Sequence, residues 1–372
     1  MKVLVAPNSM KGSLSASEFA GAIAEGLFSA GIVEVIKLPV ADGGDGTAEV
    51  LSACYNADFI SCTVNDPLGR EIQSGYYLDD NSTAVIEMAD ASGLKLLKPR
   101  EYSAMNASSF GVGQLIKHAV NNGALTILLG VGGSATVDGG MGALMALGFR
   151  FLGPHGEITE GNGKNMGNVI FIDRSDADRL LANVSIKVLT DVDNPLLGEN
   201  GAVSVFAPQK GASEKELTVL EKNMSLFAGA LFQTTGHDVS LAKGGGAAGG
   251  IAASLLSLLN AEIIEGAPFI LAACGFRELV AGADVIITGE GAIDSTTFDG
   301  KITGAIAKIG MEIDKPVYAV CGINNLDGNH GFEAVITLAG RDEPVEYCML
   351  NARDLARLKA KEIGKLLLEK YG

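Results

Sequence analysis

Residues 3–38, VLVAPNSMKGSLSASEFAGAIAEGLFSAGIVEVIKL, decide the fold class. Val3 to Ala6 form a short apolar run, which Pro7-Asn8-Ser9 breaks. Ser15 and Glu18 then make a capping box, in which hydroxyl and carboxylate satisfy each other's backbone N–H at a helix start. Phe19, Ile23 and Leu27 recur every four residues and predict a helix with one buried stripe. Gly31 stops that helix, and residues 33–38 alternate apolar with polar into a second strand. The segment is a β-α-β unit.

Apolar runs of the same kind recur at 84–88, 125–129, 186–189, 285–287, 317–320 and 334–338. Helical stretches such as 114–122 lie between many of them. Short buried strands alternating with helices predict an α/β protein with largely parallel sheet. The strongest helical spacing lies at 214–232, where Leu217, Leu220, Met224, Phe227 and Leu231 follow a second capping box of Ser213 and Glu216. We assign this helix, and a last one carrying Leu355, Leu358, Ile363 and Leu366, to packing.

At 372 residues the chain exceeds one ordinary core and suggests two domains. The strands near both termini look alike, short and apolar. We therefore expect residues 1–63 and 267–372 to form a discontinuous Rossmann- or flavodoxin-like α/β domain. Residues 64–266 are expected to form an inserted second α/β domain. A plain division into N-terminal and C-terminal halves is the alternative.

The formal charge of −16, with no basic block, argues against nucleic acid or an anionic membrane as the main partner. Cys54, Cys62, Cys274, Cys321 and Cys348 include no CxxC pair and are expected to be reduced core residues. The four histidines share no ligand spacing that would make a zinc site. With no signal-like segment or long apolar span, the expected compartment is the cytoplasm. Glycine, at 49 residues, is roughly twice its usual share of about 7% and is clustered in loops.

Those loops follow the predicted strands, where open parallel sheets bind ligands. Ala6–Ser13 carries Lys11 and two hydroxyls ahead of a helix, a ready anion site or an ordinary turn. Asp42-Gly43-Gly44-Asp45-Gly46-Thr47 could approach a phosphate only with a divalent cation between it and the carboxylates. Gly130-Val131-Gly132-Gly133-Ser134-Ala135-Thr136, between a strand and a small-residue helix at 142–147, is the best phosphate cradle. Thr190–Pro195 and Thr288–Asp294, the latter followed by Gly300-Lys301, place acids just past strand ends. No GxxxxGK[ST] occurs, so this is not a P-loop enzyme. GGGAAG at 244–249 matches GxGxxG, but residues 239–243 make a poor strand and no acid lies in the expected context before Glu262.

Taken as a set, the loops resemble those of the bacterial glycerate kinase family. The matching stretches are APNSMKGSLSA (6–16), PVADGGDGT (39–47), DPLGR (66–70), IEMADASGL (86–94), SSFGVGQLI (108–116), GVGGSATVDGG (130–140), TDVDNPLLGENGA (190–202), APQKGA (207–212), GGGAAGG (244–250) and ITGEGAIDSTTFDGK (287–301). They occur in the family's order over almost the full length. The resemblance implies an ATP- and Mg²⁺-dependent kinase of two α/β domains, with the active site in the cleft between them, that converts D-glycerate to 2-phosphoglycerate. A glycerate 3-kinase or a kinase of a related hydroxy acid is the alternative. A nicotinamide oxidoreductase, resting on 244–249, and a non-catalytic sugar-acid-binding protein are the further readings. Homo-oligomerisation is left open.

On this reading Asp191 is the base, and Lys11 and Lys301 hold the substrate carboxylate or the transferring phosphate. Asn8, Ser9, Asp193 and Asn194 face the glycerate. Gly132, Gly133, Ser134, Thr136, Gly289 and Gly291 line the nucleotide, and Asp42, Asp45 and Glu290 hold Mg²⁺. The family usually has Asp where this chain has Asn8, Phe where it has Met10, Glu at Asp45, Asn at Val137 and Gln at Thr296. Asp138, Asp294 and Lys210 are kept.

Overall fold

The computed structural model describes residues 1–328, 330–338, 340 and 343–371. Its strands are β1 (Lys2–Pro7), β2 (Glu34–Lys37), β3 (Asp58–Asn65), β4 (Glu71–Leu78), β5 (Thr83–Glu87), β6 (Thr126–Gly130) and β7 (Arg150–Gly153). They continue as β8 (Gly156–Ile158), β9 (Phe171–Asp173), β10 (Ser185–Thr190), β11 (Glu262–Glu265), β12 (Val285–Ile293), β13 (Val317–Asn324) and β14 (Ala334–Thr337). Every apolar run read as a strand is one.

The chain divides into two compact units, residues 1–42, 49–54 and 265–372 in the first and 43–48 and 55–264 in the second. Residues 265–266, expected in the second, fall in the first, whereas 43–48 and 55–63, expected in the first, fall in the second. They join the second because β3 pairs antiparallel with β4 along its whole length and because Gly43 O accepts the Gly132 N–H.

In the first unit one sheet runs β14-β13-β12-β1-β2, with all four pairings parallel. Counted within this unit the order is 2-1-3-4-5, the flavodoxin-like arrangement, whose direction of winding reverses between β1 and β12. The helix Ala16–Ala30 begins at Ser15 with both halves of the capping box in place and ends at Gly31. Its buried Phe19, Ile23 and Leu27 join Val3, Val5, Val285, Ile287 and Val320 in one core. The C-terminal helix Ala352–Tyr371 adds Ala356, Ala360 and Ile363 to that core.

In the second unit the sheet runs β11-β10-β6-β5-β4-β3. Its centre, β10, β6 and β5, is parallel, whereas β4 and β3 are antiparallel additions. A small antiparallel sheet, β8-β7-β9, lies apart from it. The helix Glu214–Thr235 buries Leu220, Met224, Phe227 and Leu231, confirming its packing role. No helix among the described residues is long and apolar enough to cross a membrane.

Two of the five cysteines depart from expectation. Cys54 and Cys274, 220 residues apart in sequence, are joined by a disulfide with a Cα–Cα distance of 5.1 Å. Sequence spacing carried no sign of that proximity. Cys62, Cys321 and Cys348 are free thiols, as expected, but only Cys321 is buried, Cys62 and Cys348 being half-buried.

Candidate active site

In the first unit the loops that leave β1 and β12 are neighbours, because those two strands pair from Val3–Val285 to Pro7–Gly289. This is the point where the sheet reverses its winding, and open sheets place ligands there. Asn8 N donates to Gly289 O at 2.8 Å. The Asn8 side chain is fixed at both ends. Its Oδ1 accepts from Ser9 N at 2.7 Å, and its Nδ2 donates to Asp42 Oδ2 at 2.9 Å. An aspartate at position 8 would set two carboxylates against each other, so Asn8 is a working partner of Asp42. Lys11 is exposed on the same loop, and the backbone of Gly291 passes close to it.

Glu290 is buried near the end of β12. Its Oε2 lies 3.7 Å from Lys301 Nζ, and its Oε1 accepts from Thr297 Oγ1 at 3.2 Å. Burial pushes its pKa up, Lys301 and Thr297 pull it back, and Asp42 adds to the rise. Asp42, Glu290, Lys301 and Lys11 are thus the polar equipment of one sheet end. Gly289 sits inside the ladder, where a side chain would overlap Val320 O, so its small size serves packing. Asp294 caps the short turn Ser295–Phe298, and the Thr296 N–H and hydroxyl lower its pKa.

In the second unit the carboxyl ends of β5, β6 and β10 carry Glu87, the Gly130–Thr136 turn and Thr190-Asp191. The turn is anchored by Gly132 N to Gly43 O and by Val131 N to Leu189 O, both 3.3 Å. Its tip, Gly133, is exposed with φ +66°, and a Cβ there would overlap Asp45 Oδ1. That oxygen is itself buried and has no hydrogen-bond partner. A buried carboxylate oxygen without a donor, beside an exposed glycine tip, fits a cation shared with a bound phosphate. Among the described residues no group of three His, Cys, Asp or Glu side chains is placed to hold a metal by itself. One or two carboxylates with phosphate oxygens and water completing the shell is the donor pattern that Mg²⁺ commonly accepts.

Three residues of this unit were given no site role on sequence grounds. Glu87 accepts from Gly46 N with both oxygens, each at 3.1 Å, and from Ala48 N at 3.3 Å, so it caps the helix Thr47–Tyr55 that follows the carboxylate loop. Burial, with Asp90 adding, pushes its carboxyl up to about 7. Asp138 is fully buried and accepts from Ser109 N, Ser109 Oγ, Gly140 N and Gly142 N, which makes it the knot that shapes the 138–142 turn. Burial raises its pKa against those bonds. Lys210 is only 2% exposed. Glu87 could have been found as the acid ending an apolar strand, but the burial of Lys210 had no sequence signal.

The remaining expected residues are placed as follows. Ser134 and Thr136 are buried under the turn. Asp193 is exposed and 3.2 Å from Lys243, while Asn194 Nδ2 donates to Asn200 O at 2.8 Å. Asp191 is half-buried just past β10. Val137, one of the departures from the family pattern, is fully buried in the core. The GGGAAG stretch follows no strand. Gly249, at φ +69°, instead lets its helix cross the Gly130–Thr136 turn, where a side chain would overlap Thr136 O. No dinucleotide fingerprint is formed there.

Comparison with known proteins identifies the family. The sequence profile described as the glycerate kinase family matches residues 3–368. A glycerate kinase of Bacillus subtilis (strain 168) is 40% identical over 370 residues, covering 98% of this chain and 97% of that protein. A glycerate 2-kinase of Escherichia coli (strain K12) is 38% identical, covering 91% of this chain and 90% of its own. The crystal structure of a protein assigned as glycerate kinase 2 from Salmonella typhimurium LT2 superposes with a TM-score of 0.86 at 36% identity, covering 100% of this chain and 99% of that one.

Proposed function

Because the chain belongs to the glycerate kinase family and is an enzyme of that kind, we propose that it transfers the γ-phosphoryl group of ATP to D-glycerate, giving 2-phosphoglycerate, with Mg²⁺. The observation that carries this reading is the pairing of a cationic, amide-bearing loop with a buried acid at the winding reversal of a 2-1-3-4-5 sheet. The 2-phosphate is favoured over the 3-phosphate because a relative covering nine-tenths of this chain is a glycerate 2-kinase.

Phosphoryl transfer asks a protein mainly for positioning and charge neutralisation. Lys11 and Lys301 would hold the glycerate carboxylate and the transferring phosphate, with Asn8 and Ser9 facing the glycerate. Gly132, Gly133 and Ser134 would receive the nucleotide phosphates. Asp45 in the second unit and Asp42 and Glu290 in the first are the carboxylates available to Mg²⁺, of which it would take one or two beside phosphate oxygens. When bound, that ion would neutralise charge on the phosphate oxygens. Asp191 would accept the proton of the attacking hydroxyl.

Purified protein should release ADP in the presence of D-glycerate and Mg²⁺ and lose that activity in excess EDTA. Phosphorus NMR should identify the product as 2-phosphoglycerate. Full turnover in EDTA would remove the metal assignment, and 3-phosphoglycerate would correct the acceptor hydroxyl.

A further inference from the structure

Lys210 ends the short turn Pro208–Lys210, yet its ammonium makes its contacts more than seventy residues away. Nζ donates to Ser134 Oγ at 2.7 Å and to Thr136 O at 2.8 Å. Both acceptors belong to the glycine-rich turn. Among the described residues no carboxylate forms an ion pair with it. Asp138, the nearby acid acting on it, is already held by four donors. An ammonium buried without a paired anion is costly, and an apolar side chain of similar length would serve packing better. Thr136 Oγ1, in the same turn, is buried without a partner. The turn therefore keeps one buried positive charge and one unsatisfied hydroxyl beneath an exposed glycine tip.

We propose that Lys210 is a positioning residue of the nucleotide site, fixing the Gly130–Thr136 turn through Ser134 and Thr136 and supplying the countercharge to the phosphate that the turn binds. The proposal rests on the assignment of that turn to the nucleotide phosphates. Burial pushes Lys210 down to about 7, and Asp138 opposes the shift. A bound phosphate favours the protonated amine, so binding draws a proton onto Lys210 at neutral pH and above. ATP affinity therefore falls as pH rises through the pKa of the free protein.

Calorimetric titration with ATP at pH 6 and pH 8.5, beside thermal melts, tests this on the wild type, Lys210→Met and Ser134→Ala. Lys210→Met should melt no lower than wild type, because it removes a buried charge. It should also bind ATP roughly ten- to a hundredfold more weakly at pH 6 and lose the excess fall in affinity at pH 8.5. Ser134→Ala keeps the charge but loses its anchor, so it should weaken ATP several-fold while retaining the pH dependence. If Lys210→Met does not fold, Ser134→Ala decides: unchanged ATP affinity in that variant overturns the proposal. A folded Lys210→Met with wild-type affinity at both pH values also overturns it. A wild-type protein that binds no ATP would instead remove the nucleotide assignment of the turn, and this proposal with it.

Discussion

Gly133 is the residue on which the Gly130–Thr136 turn depends most directly. Its φ of +66° lies in the left-handed region, which costs an L-residue roughly 1–2 kcal/mol. The missing side chain is also what leaves room for the Asp45 carboxylate, and Ala89 Cβ stands only 3.1 Å from where a Cβ would be. Gly133→Ala should therefore displace Asp45 or the turn. A shift of about 1 Å at a positioning element can cost about a hundredfold in rate, so kcat/KM for ATP should fall by about that factor. Stability should drop by the smaller backbone cost, and steady-state kinetics with a denaturation curve separates the two effects. Wild-type kcat/KM would take Gly133 out of the site. Residue types in order were enough to nominate Gly133, Asn8, Asp42 and Glu290. They could not tell a ligand from a support, because Asp138 and Lys210 look equally polar in sequence and only burial and partners separate them.

At the level of the element, the helix Thr47–Tyr55 is held at its start by a carboxylate from another strand. Glu87 meets the Gly46 and Ala48 N–H groups, two of the donors that a helix start leaves unsatisfied. Its folded pKa of about 7 lies above the ordinary 4.5, so between those values the folded protein holds the extra proton. The associated stability is fully present below about pH 4.5 and is lost as pH rises through 7. Glu87→Gln does not titrate. Relative to wild type it should gain up to about 3 kcal/mol on going from pH 4.5 to 8, whatever constant cost the lost hydrogen bonds impose. Urea denaturation of both proteins at several pH values, without metal, measures this. A stability difference that stays constant with pH would mean that Glu87 ionises normally. Parallel strands such as β1, β5, β6 and β12 were legible because they are mostly buried and largely apolar, and the half-exposed β2 by its alternation. The antiparallel pair β3 and β4 was not, since residues such as Ser61, Thr63, Gln73 and Ser74 interrupt their apolar pattern and much of β3 is exposed. Their pairing is set by the partner strand rather than by local sequence.

At the scale of the whole chain, the first unit is left after residue 54 and resumed at 265, where the likeness of the strands at both ends had suggested 63 and 267. Contacts rather than composition set those points, as β3 illustrates. The disulfide marks them. Cys54 is the last residue of the first unit before the chain passes to residues 55–264, and Cys274 comes soon after the return at 265. The bond therefore closes the first unit on itself across the insertion and restricts its unfolded chain. Cross-links of long loops typically contribute about 2–4 kcal/mol by limiting the unfolded ensemble. Native protein alkylated without reductant and digested should yield a linked Cys54–Cys274 peptide, with Cys62, Cys321 and Cys348 modified after unfolding. Reduction, or Cys54→Ser, should lower stability by an amount in that range while leaving glycerate-dependent ADP release measurable at temperatures where the protein stays folded. Five alkylated thiols in unreduced protein would restore the expectation of fully reduced cysteines. In that case the pair would be two neighbouring thiols, and reduction would leave the denaturation midpoint where it was.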